Sequence, residues 1–142
     1  MFKSNIKYTA LAAMACTALA VPASAEMIKY TADLTADAQV PPVDSTAAGT
    51  ADVTVDTEAK TVTWMVNFEG LTGDATAAHI HGPASDGENA NPVITLADTI
   101  MEGQGEITDE QISELNDGKY YVNVHTDQNP GGEIRGQLSK AE

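Results

Sequence analysis

Residues 50–68 read TADVTVDTEAKTVTWMVNF, and this stretch decides the fold class. Apolar and polar residues alternate along 50–56 and again along 60–68, which is the period of a β-strand with one buried face. The three residues between the two runs allow a tight antiparallel hairpin. In the second run Val62, Trp64, Val66 and Phe68 share one face. We expect this face to lie in the core.

The rest of the chain continues in short segments of the same kind, separated by turn-forming residues. Further strands are predicted over residues 28–34, 76–81, 92–97, 120–125 and 133–138, and the prolines of 39–42 indicate an extended loop. One helix is predicted, because Thr108 and Gln111 fit a capping box and Gly118 supplies the stop. This pattern favours an all-β fold, a Greek-key antiparallel β-sandwich with one short helix.

The first 25 residues have the features of a secretory signal peptide. Lys3 and Lys7 precede an apolar stretch too short to span a bilayer, and a small-residue cleavage site ends at Ala25. We therefore expect residues 26–142 to form a single exported domain, periplasmic or secreted, with no membrane span. The only cysteine, Cys16, would be lost with the signal peptide, so the exported form would have no thiolate metal site and no disulfide.

The chain is strongly acidic, with 21 Asp and Glu residues against seven Lys and Arg residues and a formal net charge of −14. Without Lys3 and Lys7 five basic residues remain, and the net charge becomes about −16. Such a surface repels phosphate backbones, so we expect no nucleic-acid partner. The same field attracts cations, which suits a metal-binding protein, although solubility alone also explains an acidic composition.

All three histidines occur in two short phrases, His79 and His81 in AHIHGP (78–83) and His125 in NVHT (123–126). On a strand His79 and His81 point the same way, with Cα atoms about 6.5–7 Å apart. If the strand of His125 borders them, three imidazoles converge on one metal ion. Imidazole ligands favour Cu(II) by the Irving–Williams order, so we expect copper as the cofactor, with zinc as the second choice. Three protein ligands leave a coordination position for water or a small substrate.

Arg135, the only arginine, is the candidate catalytic residue. Its guanidinium can guide an anion toward the metal, or it can pair with a carboxylate such as Glu133 or Asp127 and pin the last turn. Tyr121 and Asn123 share the strand face of His125, either as neighbours of the site or as core residues. The polar residues 84–91 lack the spacing of a calcium loop, and we expect a solvated loop there.

Several phrases resemble the CHRD domain, a family named after chordin and also found in exported bacterial proteins. They are QVPP (39–42), GLTG (70–73), AAHIHGP (77–83), YVNVHT (121–126) and NPGGEIRGQL (129–138). The resemblance covers nearly the whole of residues 26–142. It implies the fold and, through the chordin context, an extracellular interaction module.

A more distant resemblance is to the copper/zinc superoxide dismutases, which are Greek-key β-sandwiches. His79 and His81 resemble their His-x-His pair, His125 resembles the later Val-His ligand, and Arg135 after an Asn-Pro-Gly turn resembles their anion-guiding arginine. The resemblance implies a superoxide-dismutase-like fold with a copper site. The chain departs from that family in having no bridging histidine, no zinc-site histidines and no cysteine for the disulfide.

These observations lead to three functional hypotheses. The first is an exported mononuclear copper-binding protein with ligands His79, His81 and His125, redox-active toward superoxide or another small oxidant. Its partners would be the metal ion and a small anion or oxidant, and whether it turns over as an enzyme stays open. The second is a metal-free extracellular interaction module in which the histidines are structural. The third and most remote is a zinc hydrolase, which would need Glu88 or Glu133 as a general base.

Overall fold

The computed structural model describes residues 25–96 and 99–142, and these contain nine strands and one helix. In chain order they are β1 Met27–Thr35, β2 Ala48–Asp56, β3 Thr61–Glu69, β4 Ala75–His81, β5 Pro92–Thr95, β6 Glu102–Glu106, α1 Asp109–Asn116, β7 Tyr121–Thr126, β8 Ile134–Gln137 and β9 Ser139–Lys140. Nearly all of the predicted signal peptide, residues 1–25, lies outside the described residues. In the part of the chain that is described, no helix is long and apolar enough to cross a membrane.

All strand pairs in the described residues are antiparallel, which confirms the predicted all-β fold with one short helix. The predicted hairpin is formed by β2 and β3, paired without a break along their whole length. In its turn the Asp56 carboxylate accepts hydrogen bonds from the backbone N–H groups of Glu58 and Ala59, both at 2.9 Å. This contact makes the short connection possible, because a side-chain acceptor satisfies donors that the strands cannot.

The strands form one hydrogen-bonded sheet in the order β5-β4-β7-β8-β1-β2-β3-β6, with β9 beside β1. One half of the sheet contains β1, β2, β3 and β6, and the other half contains β4, β5, β7 and β8. The two halves meet where Thr35 of β1 pairs with Arg135 of β8. Inward side chains of both halves, such as Val53 and Val122, belong to the same core cluster. The apolar face predicted for β3 lies in this core.

The sequence pattern does not predict two of the strands, β6 and the two-residue β9. The sequence of β6 is EGQGE, which has no apolar residue and contains two glycines, a residue type that is depleted in strands. It nevertheless pairs with five residues of β3. A Cβ atom at Gly103 would overlap the indole ring of Trp64. The glycine is therefore required because the Trp64 ring occupies the space that a larger residue would fill.

The helix α1 forms as the sequence predicts. The Thr108 hydroxyl accepts a hydrogen bond from the backbone N–H of Gln111, and the Gln111 side chain accepts one from the backbone N–H of Thr108. Ile112 and Leu115 pack against the core, and Gly118, with φ of 69°, follows the helix end. The helix links β6 of one half of the sheet to β7 of the other.

The central strand β7 is buried on both faces. Val122 and Val124 point into the core, whereas Tyr121, Asn123 and His125 alternate toward the opposite side. Residues directly opposite on antiparallel neighbours share a face. The pairs His79–Asn123, His81–Tyr121, Asn123–Arg135 and Tyr121–Gln137 therefore define one continuous surface, which we call the polar face. Loop residues 36–43 and 84–91 contact one another and Asn123 or Tyr121 of this face.

Candidate metal centre

The structure brings the three histidines of the chain together on the polar face. His79 and His81 are alternate residues of β4, and His125 lies on the adjacent β7. The Nδ1 atom of His79 is 3.1 Å from Nε2 of His125. One ring nitrogen from each of the three residues lies within 4.8 Å of the other two. This is the only group of three or more candidate metal-binding side chains in the described residues.

Backbone carbonyl groups determine which nitrogen of two of these rings carries the proton. Nδ1 of His81 lies 2.9 Å from the carbonyl oxygen of Ala90, and Nδ1 of His125 lies 2.9 Å from that of Pro130. A carbonyl oxygen only accepts hydrogen bonds, so both Nδ1 atoms must be donors. In the neutral rings the Nε2 atoms then carry the lone pairs. Nε2 of His81 is buried and has no hydrogen-bond partner in the described residues.

The surroundings favour the neutral form of the His79 and His81 rings. Burial lowers the pKa of His79, and the nearby His125 lowers it further. Burial is also the main cause that lowers the pKa of His81; the hydrogen bond to Ala90 opposes this effect, and the neighbouring histidines and Arg135 add to the lowering. A neutral imidazole is the form that binds a metal ion. These shifts favour the form of both rings that a metal ion requires.

Arg135 is almost fully buried, with 1% of its surface exposed. Its two terminal nitrogens donate hydrogen bonds to the Asn89 side-chain oxygen at 2.9 Å and to the Glu88 carbonyl oxygen at 2.7 Å. The guanidinium carbon lies 3.5 Å from the centre of the Tyr121 ring, a cation–π contact. The predicted pairing with Glu133 or Asp127 is wrong, because Arg135 forms no salt bridge in the described part of the chain.

Glu133 instead joins three segments of the chain near the site. Its carboxylate accepts hydrogen bonds from the hydroxyl groups of Ser45, Thr72 and Thr126 and from the backbone N–H of Thr72, at 2.7–2.9 Å. These four donors, and not Arg135, stabilise the buried charge. Thr126 directly follows His125, so this network also fixes the end of β7 that carries the third histidine.

The comparisons with known proteins place the chain in a family. The family model described as CHRD domain matches residues 30–138. The chain belongs to the CHRD family. It is also 37% identical over 109 residues to chordin from Danio rerio, a match that covers 69% of this chain and 12% of the chordin chain. No solved structure is a significant match. The resemblance to copper/zinc superoxide dismutases stays a prediction from the residues.

All three histidines and Arg135 lie inside the region that matches the CHRD domain. The sequence also predicts that Tyr121 and Asn123 share their face, and both do. The Tyr121 ring stacks on the His81 ring, with centroids 4.9 Å apart and an angle of 7° between the planes. Asn123 is paired with His79 across the strands, and its amide donates a hydrogen bond to the Gln39 side chain at 3.4 Å.

The sequence gives no clear signal that the loops contribute to the candidate metal centre. Residues 86–89 are exposed, as expected for a solvated loop, yet the same loop holds Arg135 and His81. Ala90 and Pro130 act through backbone oxygens, which every residue has. The one usable signal is Asn89, because its amide can bond two segments at once: it accepts from Arg135 and donates to the Val40 carbonyl oxygen at 2.8 Å.

Proposed function

We propose that this protein is an exported mononuclear copper-binding protein whose ligands are His79, His81 and His125. The observation that carries the proposal is the hydrogen bonding of the rings. Two Nδ1 atoms are tied to backbone carbonyl groups, which puts the lone pairs on the opposite nitrogens. Nε2 of His81 has no partner in the described residues, and Nε2 of His125 faces Nδ1 of His79 at 3.1 Å, a hydrogen bond that a metal ion would replace. Such outer contacts are typical of metal-binding histidines, whose second ring nitrogen donates to a carbonyl or a carboxylate.

The donor set favours copper and makes zinc the second choice. At metal–nitrogen distances of about 2.0–2.1 Å, two nitrogens on one ion lie roughly 3–4 Å apart. The 3.1 Å between His79 Nδ1 and His125 Nε2 fits this range, and the limit of 4.8 Å for the group requires only a small closure. Neutral imidazoles without thiolates bind Cu(II) more strongly than Zn(II) in the Irving–Williams order.

A site with three protein ligands keeps a coordination position for a small molecule. Copper held there would supply one-electron chemistry toward superoxide or another small oxidant, and we include this reactivity in the proposal. Arg135 would guide anions through the field of its buried charge, since both of its terminal nitrogens are bound to the loop of residues 84–91. The acidic surface would raise the local concentration of cations.

The same proposal includes the location and the extent of the domain. Residues 1–25 would direct export and be removed, and residues 26–142 would act in the periplasm or outside the cell. Copper and zinc would then reach the site in an oxidising compartment.

A second candidate function is a metal-free extracellular interaction module. The identity of 37% with a segment of chordin favours it. In that case the histidines would serve only the fold, and the acidic surface would select protein partners. The two functions differ in one measurable property, the binding of Cu(II) by the histidine cluster.

The test is a Cu(II) titration of metal-free protein, followed by calorimetry and electron paramagnetic resonance. We expect one ion per chain, nitrogen hyperfine structure, and affinity at least 10-fold lower when any one of His79, His81 or His125 is replaced by Ala. The triple variant is the matched control, because it keeps all 21 acidic residues and so measures weak binding by carboxylates. Equal affinity of the parent and the triple variant would exclude the copper function and favour the interaction module.

A further inference from the structure

Tyr121 and His81 meet at the same peptide group of the covering loop. The Tyr121 hydroxyl accepts a hydrogen bond from the Ala90 N–H at 3.1 Å and lies 3.2 Å from the Ala90 carbonyl oxygen. That carbonyl oxygen is also the acceptor for Nδ1 of His81. The Tyr121 hydroxyl therefore contacts both the N–H and the carbonyl group of Ala90, the residue that orients the His81 imidazole.

Arg135 holds the two residues that precede Ala90 in the loop. It donates hydrogen bonds to the Glu88 carbonyl oxygen and to the Asn89 side chain, and Asn89 is bonded in turn to Val40. Residues 86–89 are exposed and bury no apolar side chain. The two ends of the loop are held elsewhere, by the Ala84 N–H on the Lys119 carbonyl oxygen and the Gly82 N–H on the Asn91 carbonyl oxygen. The polar contacts of Arg135 and Asn89 therefore hold the middle of the loop over the site.

The three side chains also form one stack. The Tyr121 ring contacts the His81 ring in nearly parallel orientation, and the Arg135 guanidinium lies over the Tyr121 ring. A guanidinium that is fully buried and bonded at both terminal nitrogens has a fixed position. Tyr121 and Arg135 therefore hold the His81 ring and the loop of residues 84–91 from the same side of the sheet.

We propose that Tyr121 and Arg135 are positioning residues for the metal site. They fix residues 88–90, so that the Ala90 carbonyl keeps the His81 proton on Nδ1 and directs Nε2 toward His79 and His125. The inference rests on the proposed function, because it assigns these contacts to the geometry of the same three-histidine site. The loop of residues 84–91 then selects one tautomer of the ligand His81, a role that the loop sequence does not predict.

The decisive variant is Tyr121→Phe, which removes the hydroxyl contacts to Ala90 and keeps the ring that stacks on His81. The matched control is Tyr120→Phe, the same change at the preceding residue, whose hydroxyl bonds to Glu114 at 2.6 Å on the other side of β7. The first readout needs no metal: the ¹⁵N shifts of the His81 ring in metal-free protein. We expect a single Nδ1–H tautomer in the parent and in Tyr120→Phe, and a mixture of tautomers in Tyr121→Phe.

The second readout is Cu(II) binding, with the ion alone as the probe. We expect Tyr121→Phe to lower the Cu(II) affinity by about 10- to 100-fold and to change the paramagnetic resonance parameters, as for other outer-sphere partners of metal ligands. Tyr120→Phe should lower the thermal stability and leave both copper properties unchanged. Asn89→Ala, at an exposed loop position, should lower the Cu(II) affinity in the same direction, and it replaces Tyr121→Phe as the decisive variant if the latter does not fold.

The outcomes separate this inference from the proposed function. If the parent does not bind Cu(II) but the tautomer changes in Tyr121→Phe, the control of the His81 tautomer by Tyr121 stands and the copper function fails. If the parent binds Cu(II), and the tautomer, affinity and resonance spectrum of Tyr121→Phe equal those of the parent, the positioning role is overturned. A loss of stability without a change in tautomer would assign Tyr121 to the fold alone and would also overturn it.

Discussion

Glu133→Gln should destabilise the protein at neutral pH and lose much of this effect in acid. The Glu133 side chain is inaccessible to solvent and accepts four hydrogen bonds, from Ser45, Thr72 and Thr126. Burial by itself raises the pKa of this carboxyl group, but the hydrogen bonds outweigh burial and lower the pKa from 4.5 to about 2. The folded state therefore stabilises the charged form.

The size of the effect follows from this difference in pKa. A fall from 4.5 to about 2 corresponds to roughly 3 kcal/mol at 1.36 kcal/mol per unit. Allowing for screening of the charge, we expect a contribution of about 1–3 kcal/mol. Because the unfolded chain takes up the proton at higher pH than the folded chain, the contribution is complete above about pH 4.5. It is lost as the pH falls toward about 2.

The assay is urea unfolding of metal-free parent and Glu133→Gln at about pH 7 and about pH 3. The difference in the free energy of unfolding should shrink by about half or more at the lower pH. Glu106→Gln, at an exposed position of β6, is the matched control and should change the stability by less than about 0.5 kcal/mol. A difference between parent and Glu133→Gln that is the same at both pH values would refute the reasoning.

Three further predictions concern the metal, the arginine and the core. Burial lowers the pKa of His81, so protons compete with copper only in mild acid. We expect copper to be released between about pH 4 and 6, measured by paramagnetic resonance. A full copper equivalent retained at pH 3 would indicate carboxylate ligands instead. Arg135→Ala should lower the azide affinity of the copper-loaded protein more than Arg135→Lys does, because both variants lose the paired contacts to Glu88 and Asn89 and only Lys keeps the charge. Equal azide affinity in the two variants would exclude the guiding role. Gly103→Ala should destabilise the protein by about 1–3 kcal/mol in thermal unfolding, because the new methyl group overlaps Trp64. The control Gly105→Ala places its methyl group at ordinary contact distance, 3.5 Å from Trp64, and an equal loss in both would contradict the packing argument.

The shared face of the histidines within each strand follows from the sequence, because strand periodicity determines which residues share a face. His79 and His81 are two residues apart, and the β-branched and aromatic residues around His125 predict a strand. The sequence does not predict that the strand of His79 and His81 lies beside the strand of His125. That adjacency is a condition for the three rings to meet. The pairing of His81 with Tyr121 meets that condition.

The partners of Arg135 and Glu133 could not be predicted in the same way. Arg135 lies on β8, and Glu133 lies two positions earlier, just before the strand begins at Ile134, so the sequence alone makes a carboxylate near the arginine a reasonable expectation. Their long side chains extend to different loops: Arg135 bonds to residues 88–89, and Glu133 bonds to Ser45 and Thr72. Which loop covers which part of a sheet depends on tertiary contacts that leave no periodic pattern in the sequence.

The hydrogen bonding of the polar face favours a metal ligand over a structural role for His81. Four buried side-chain atoms in the described residues have no hydrogen-bond partner, and three of them are amide atoms of Gln39, Asn123 and Gln137, whose other amide atom is bonded. The fourth is Nε2 of His81, an acceptor beside two more imidazoles. Leaving a buried acceptor without a partner costs about 1–3 kcal/mol. The amide oxygens of Asn123 and Gln137 carry a similar cost, but only Nε2 of His81 lies beside two more imidazoles. The Ala90 carbonyl fixes the proton on the opposite nitrogen, and a cation among the three rings would make the arrangement favourable.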